Sequence, residues 1–386
     1  MQAITLNDQL IAYRHRRGGG RTVVFANSLG SDQSLWDQVL DHLGGGYGTL
    51  TYDLRGHGQS GLSSGFTIAD MADDLIALIE HLGLRDVLLC GVSVGGMIAQ
   101  SVAARRPDLL SGVILCTTAA KIGTDERWAE RISGVRENGL AGFADTILNN
   151  WFGAAYAQSQ PDGWQLCHNM LSRTPTAGYV SVCEAIRAAD LSEQTATITV
   201  PVHCIGGSED ASVTVENVTA LSRLIPDARL TVFDGVGHLP PLEAPARMAQ
   251  LIEDFDTASK ARFDKGMAVR RSVLGDAHVD RTEAAKTDFD LPFQTLITEG
   301  AWGTVWASEG ISRRERSMIT LALLAATGNF EEIPMHVRAT ARTGASARDI
   351  QEAFQHVAIY AGVPRANHAL KLAKQTLAEM EAAPDD

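Results

Sequence analysis

The stretch Asp86-Val-Leu-Leu-Cys-Gly91-Val92-Ser93-Val94-Gly95-Gly96-Met97 is compatible with few folds. Val87, Leu88 and Leu89 form a short apolar, partly β-branched run, the pattern of a buried strand. Gly91-x-Ser93-x-Gly95 follows at once, and Met97, Ile98, Ala99, Val102 and Ala103 read as a helix leaving it. Strand, Gly-x-Ser-x-Gly, helix predicts a tight turn with Ser93 strained at its tip. The flanking glycines leave room where a side chain would strike the neighbouring strand and helix. Such a turn lifts the hydroxyl to the carboxyl edge of a sheet and points the Val94 N–H at the oxygen of a reacting carbonyl. The alternative is a glycine-rich turn with an idle serine, and the order of possible partners along the chain decides against it.

Around that turn the chain alternates. Residues 2–16 read as a hairpin with Asn7-Asp8 at its turn, and residues 21–26 as a buried strand ending in the polar turn Asn27-Ser28-Leu29-Gly30. A helix face follows at Leu35, Trp36, Val39 and Leu40, then a strand over 49–53 and a helix over 67–82. Further strands are predicted at 113–116, 200–205 and 229–233, with an amphipathic helix from about Ala244 to Phe255. Strands alternating with helices of this length mean a parallel sheet covered on both faces. From about 123 to 190 the alternation stops, and helical segments carry the aromatics Trp128, Trp151, Phe152, Trp164 and Tyr179, which look exposed. That stretch is long enough for a helical cap over the sheet edge. After about residue 257 no strand pattern appears. The expected class is α/β plus all-α: a sheet domain over 1–258 with its cap, then an all-helical domain over 259–386. No Gly-, Pro- or Ser-rich linker lies between them, so a short ordered join is expected.

Ser93, Asp210 and His238 occur in the order nucleophile, acid, base, each just past the carboxyl end of a predicted strand. A serine hydroxyl is inert at neutral pH, so His238 must take its proton, while Asp210 fixes the imidazole tautomer and stabilises the cation. The second oxyanion donor is expected from the N–H of Leu29. Glu209 is a rival acid, and His57 and His203 are rival bases placed in a tight loop and within a strand, where structural roles fit better.

This half resembles the α/β-hydrolase superfamily over some 250 residues, through Arg55-Gly-His-Gly58, Gly91-Val-Ser-Val-Gly95 and Gly235-Val-Gly-His238. Many members carry His-Gly in the first oxyanion loop. Asn27-Ser28-Leu29-Gly30-Ser31-Asp32 here resembles the 3-oxoadipate enol-lactonases instead, as does Lys121-Ile-Gly-Thr followed by Trp128, Arg131 and Val135. The resemblance implies a small enol-lactone substrate with a free carboxylate, bound under the cap beside Trp128 and a cation. Arg127, Arg131 and Arg136 are the candidates.

In the helical half, Ser312-x-x-Glu315 and Ser346-x-x-Asp349 are helix-start signals, and Gly344 and Gly362 mark helix ends. Ile350, Phe354, Val357 and Ala361 form a core stripe, His356 and Tyr360 share an adjacent face, and His336 beside Val337 turns toward the interior. Each has a plain structural reading: a cap for Glu315, a core histidine for His336, packing for His356 and Tyr360. The stretch resembles the carboxymuconolactone decarboxylase family, whose relatives include small peroxidase-reductases with Cys-x-x-Cys before the histidine. Here those positions read Asn329-Phe-Glu-Glu332 and the half has no cysteine, which excludes thiol redox chemistry. The decarboxylase branch implies loss of CO2 from a carbon conjugated to a lactone carbonyl. The substrate is its own electron sink, so no cofactor and no metal are expected. His336 is then the proton donor with Glu315 as a second catalytic candidate. Arg316, Arg338 and Arg365, with His356 and Tyr360, are candidate substrate contacts.

Together the resemblances imply a bifunctional enzyme of the protocatechuate branch of the β-ketoadipate pathway: 4-carboxymuconolactone decarboxylase feeding a 3-oxoadipate enol-lactonase. A general carboxylesterase with a helical oligomerisation domain, and a ligand sensor on an inactive hydrolase fold, are the alternatives. The net charge of −13 argues against nucleic acid or an anionic membrane as partner. Cys90, Cys116, Cys167, Cys183 and Cys204 have no metal or redox spacing. With no basic-then-apolar start, the cytoplasm is the expected compartment. Apolar stripes in the helical half point to a homo-oligomer joined through it.

Overall fold

The computed structural model describes residues 1–287 and 290–382. The chain divides into two compact units, Met1–Ser259 and Lys260–Asp386.

The first unit is built on an eight-stranded sheet: β1 (Gln2–Leu6), β2 (Gln9–Arg16), β3 (Thr22–Ala26), β4 (Gly48–Tyr52), β5 (Val87–Val92), β6 (Leu110–Cys116), β7 (Val202–Gly207) and β8 (Arg229–Phe233). Their order is β1-β2-β4-β3-β5-β6-β7-β8. β1 and β2 pair antiparallel through a turn at Asn7 and Asp8, both at positive φ, and β2 runs antiparallel to β4. From β4 to β8 every pairing is parallel. β5 and β6 are buried along their whole length, as central strands covered by helices on both faces must be. Helices Ile68–His81 and Val94–Arg105 pack on each other, and the second lies against β5 and β6.

Between β6 and β7 stand the helices Asp125–Trp151, Pro161–Arg173 and Thr176–Ala188, the expected cap. The first is broken at Gly139, whose φ of 68° no helix interior adopts. The aromatics here are not exposed as anticipated: Trp128, Trp151, Phe152 and Tyr179 are buried and Trp164 is partly buried, all within the same core as the sheet. Trp128 and Trp151 suggested a surface because charged or amide residues precede them in the sequence. The neighbouring cap helices and the sheet edge are what cover them.

The join between the units is ordered and helical. The helix predicted to end near Phe255 continues as one helix, Pro245–Leu274, and the division between the units falls inside it. Between Pro245 and Gly266 the sequence holds neither glycine nor proline to stop it. Met248, Ala249, Ile252 and Phe255 are buried in the sheet unit's core, and Val273 and Leu274 in a core of the second unit.

In the described residues of that second unit all regular structure is helical. Asp276–Ala284 and Leu291–Ile297 lead into a π-helical stretch, Thr298–Trp306, and four longer helices follow: Arg313–Thr327, Ile333–Thr343, Ala347–Tyr360 and Val363–Ala382. Leu321, Ile333, Val337, Ile350, Phe354 and Val357 fill the core of those four with small Ala366, Ala369 and Ala373. Both capping boxes form, and Gly344 closes its helix in the left-handed conformation.

Candidate active sites

Four loops at the carboxyl edge of the parallel strands build the first site. After β5 the backbone turns at Ser93 with φ 57° and ψ −118°, a conformation that L residues avoid. The flanking glycines make it possible. A Cβ on Gly91 would stand 2.2 Å from the Gly95 carbonyl oxygen, and one on Gly95 would stand 2.2 Å from the Ala26 carbonyl oxygen. Ser93 N–H donates to Cys116 O at 3.0 Å, and the Thr118 hydroxyl donates to Ser93 O at 2.7 Å, so both faces of the turn are pinned to β6 and its loop.

Past β7, Asp210 points one carboxylate oxygen at His238 Nδ1, 2.8 Å away, and receives the N–H groups of Ser212 (2.7 Å) and Val213 (2.9 Å) on the other. Its side chain is fully buried, so this charge-assisted bond is shielded from water. The contact fixes the tautomer with Nδ1–H and leaves His238 Nε2 free to take a proton. His238 is held from its own backbone as well, its N–H donating to Trp151 O and its carbonyl accepting from the Thr117 hydroxyl. Ser93 and His238 line one cavity with Ser28, Leu29, Arg127, Trp128, Arg131 and Trp151.

The oxyanion loop after β3 is fastened from behind. Trp36 Nε1–H donates to the Asn27 side-chain oxygen, whose amide nitrogen donates to Tyr52 O. Gly30 N–H donates to His57 Nε2 at 2.9 Å, while His57 Nδ1 donates to Arg55 O. His57 is wholly buried, and burial lowers its pKa to about 4, so it serves as a neutral acceptor. Among the described hydrogen bonds the N–H groups of Leu29 and Val94 have no acceptor, as donors kept for a transient oxyanion would not. The Ser28 hydroxyl is buried beside them without a protein partner.

The three rivals do other work. Glu209 accepts the N–H of Ala154, and His203 bonds the Thr231 hydroxyl inside the sheet. The cap arginines separate clearly. Arg136 pairs with Glu184 at the surface and leaves the list of carboxylate partners. Arg131 donates from Nε to the Tyr179 hydroxyl at 2.8 Å and lies near the faces of Trp128 and Tyr179, its terminal nitrogens bonded to no described residue. Arg127 lines the same cavity. Tyr179 stands out in the sequence only as a cap aromatic, and its pairing with Arg131, 48 positions away, is made by the fold.

In the second unit the named residues are less gathered. His336 is half-buried, and desolvation with the nearby His278 lowers its pKa to about 4. Glu315 is exposed and closes the capping box, one oxygen accepting both the N–H and the hydroxyl of Ser312 at 2.7 Å. That geometry makes it a helix cap and engages one of its two carboxylate oxygens. Arg338 is exposed and ion-paired with Glu379, and Arg365 donates to Ala326 O. Arg316 donates to Ser308 O while its Nε is buried without a partner. His356 and Tyr360 stack, as their spacing implied, but on an exposed face, with Tyr360 85% accessible. Arg270 belongs to no motif in the sequence, yet it is 4% accessible and bonded to Glu283 and Gln294. Among the described residues no cluster could hold a metal ion, and no helix is long and apolar enough to cross a membrane.

A serine on a strained strand-to-helix turn, a buried Asp210–His238 pair and N–H groups without acceptors stand together at one sheet edge, the arrangement of an α/β-hydrolase fold. Residues 23–251 match the alpha/beta hydrolase family, and the chain belongs to it. Residues 292–375 match the carboxymuconolactone decarboxylase family, so the chain is a fusion of the two. The first part is 34% identical over 232 residues to 3-oxoadipate enol-lactonase 2 of Acinetobacter baylyi, covering 60% of this chain and 86% of that protein. The second is 37% identical over 124 residues to 4-carboxymuconolactone decarboxylase of the same organism, covering 32% of this chain and 92% of that protein. The crystal structure of the enol-lactonase from Burkholderia xenovorans LB400 superposes with a TM-score of 0.64 at 33% identity, covering 66% of this chain and all of that one.

Proposed function

We propose that the chain catalyses two consecutive reactions: decarboxylation of 4-carboxymuconolactone in the helical unit, and hydrolysis of the resulting 3-oxoadipate enol-lactone in the sheet unit. The observation that carries the hydrolytic step is the cavity shared by Ser93, His238 and Arg131. Ser93 Oγ attacks the lactone carbonyl as His238 Nε2 accepts its proton, and the buried Asp210 carboxylate stabilises the imidazolium. The oxyanion is received by Leu29 and Val94 N–H. Collapse breaks the ring C–O bond, the enol oxygen leaves with a proton from His238, and water activated by the same imidazole releases the acid and restores Ser93. Arg131, oriented by Tyr179, offers its terminal nitrogens to the substrate's free carboxylate.

In the helical unit the C–CO2 bond breaks and its electron pair enters the conjugated lactone, giving an oxyfuran-like anion that takes one proton. His336 delivers it in this reading. The imidazole is neutral in the unliganded protein, and a bound dianionic substrate raises its pKa toward the protonated form. Arg316, Arg338 and Arg365 remain the proposed carboxylate contacts, of which Arg316 alone has a guanidinium nitrogen buried without a partner. The exposed apolar residues Ile319, Leu323, Ile359 and Val363 support self-association through this unit.

The experiment is to give 4-carboxymuconolactone to the purified full chain and identify the products. The reading expects CO2 and 3-oxoadipate from the native chain, arrest at the enol-lactone with Ser93→Ala, and untouched substrate with His336→Ala. A His336→Ala chain that still releases CO2 at the native rate would remove His336 as the proton donor, and a native chain that releases no CO2 would return the helical unit to a purely structural role.

A further inference from the structure

We propose that Glu243 is a positioning residue of the hydrolase site, a single carboxylate that ties the loop carrying His238 to the end of the first cap helix. Its two oxygens serve two masters. Oε1 accepts the N–H of Gly237, the residue before the base, and Oε2 accepts the N–H of Gly153, two residues past the cap helix Asp125–Trp151, each at 2.9 Å. The same cap segment is gripped twice more. His238 donates its own N–H to Trp151 O at 2.6 Å, and Glu209, the residue before the acid, accepts the N–H of Ala154 at 2.8 Å. The loops of acid and base are therefore both registered on residues 151–154. The fit is close: a Cβ on Gly237 would stand 2.7 Å from Gly153 N and from Trp151 O.

A carboxylate suits this position because both atoms it faces are N–H donors, and only an ionised group accepts fully on both oxygens. A glutamine in its place would turn an NH2 toward one of them. Groups that face Glu243 are the carboxylates of Asp210 and Glu209, the Tyr156 phenol and the Cys167 thiol; among the described residues no cation bonds it. Burial raises the Glu243 pKa to about 7, so the clasp is sensitive to pH in the range where His238 must work. Nothing here joins the serine chemistry directly. Glu243 acts through the placement of His238, and the inference rests on the hydrolytic reading of Ser93.

The test uses the full chain with p-nitrophenyl acetate, a small neutral ester that asks nothing of the cap arginines. Glu243→Gln is expected to fold with native circular dichroism. Its kcat should fall by about tenfold to a hundredfold with KM nearly unchanged, because the base is misplaced rather than the ester unbound. The acid limb of its pH–kcat profile should shift as well, since the Glu243 titration is gone. The rate at which a fluorophosphonate labels Ser93 should drop by a similar factor. A variant with native kcat and native pH profile overturns the proposal. So does one whose loss is matched by its loss of active sites on titration, since the clasp would then support folding only. Ser93→Ala, run beside it, reports on the hydrolytic reading alone: hydrolysis surviving there would remove the site itself.

Discussion

In the proposed hydrolysis, Asp210 and His238 act through a single contact. The 2.8 Å bond between them holds the imidazole with Nε2 unprotonated. Asp210→Asn would present an amide N–H to Nδ1 and favour the wrong tautomer. Ester hydrolysis is expected to fall by about 10³- to 10⁴-fold with little change in thermal stability, measured as kcat on a neutral ester. Arg131 makes a different kind of contribution. It is held by Tyr179 and two ring faces, so its terminal nitrogens are oriented before substrate arrives. Replacing it by alanine should cost about 1.5–3 kcal/mol of binding to a carboxylate-bearing lactone, roughly a tenfold to hundredfold rise in KM, and leave a neutral ester nearly unaffected. Equal losses on both substrates would show that Arg131 supports the cap rather than a carboxylate.

The strand-to-helix turn after β5 is the element with least tolerance. Gly95 has only 2.2 Å between its notional Cβ and the Ala26 carbonyl, and backbone cannot give way there as a side chain could. Gly95→Ala should destabilise the sheet unit by about 3 kcal/mol or more, seen as a lowered unfolding midpoint in urea. This turn was legible in the sequence because its requirements are local: two glycines, a strand run, a helix run. The capping boxes at Ser312 and Ser346 were legible for the same reason. The Pro245–Leu274 helix was harder. Its apolar periodicity ends where its contacts with the sheet unit end, so pattern alone could not show that the backbone hydrogen bonds continue. The cap aromatics failed similarly, since which face of a helix is covered depends on neighbours distant in sequence.

Across the whole chain, three partly or wholly buried imidazoles weaken the fold in acid, opposed by Glu243, whose pKa, raised to about 7, favours the folded state as pH falls. His57, His203 and His336 each have a pKa lowered to about 4 by burial, against 6.5 when solvated. With the folded value below the unfolded one, the stabilisation is complete above pH 6.5 and is lost as pH falls toward 4, because the unfolded chain binds the proton first. For the fully buried His57 this amounts to about 3 kcal/mol. Thermal midpoints should therefore drop steeply between pH 6.5 and 4, and less so in a folded His57→Gln variant. A flat profile would mean that these rings find proton acceptors on acidification.

By itself the sequence determined the two-part plan, the sheet class and the chain order of Ser93, Asp210 and His238, because alternation, punctuation and motif spacing are properties of neighbouring residues. It also determined that no thiol chemistry operates in the helical half, which is a matter of composition. Only the tertiary structure decided that Arg127 and Arg131 line the cavity while Arg136 pairs with Glu184, and that Glu243 reaches both Gly153 and Gly237. Those outcomes depend on groups far apart in the chain, as Glu243 and Gly153 are, 90 positions apart, where spacing carries no signal and only packing selects the partner.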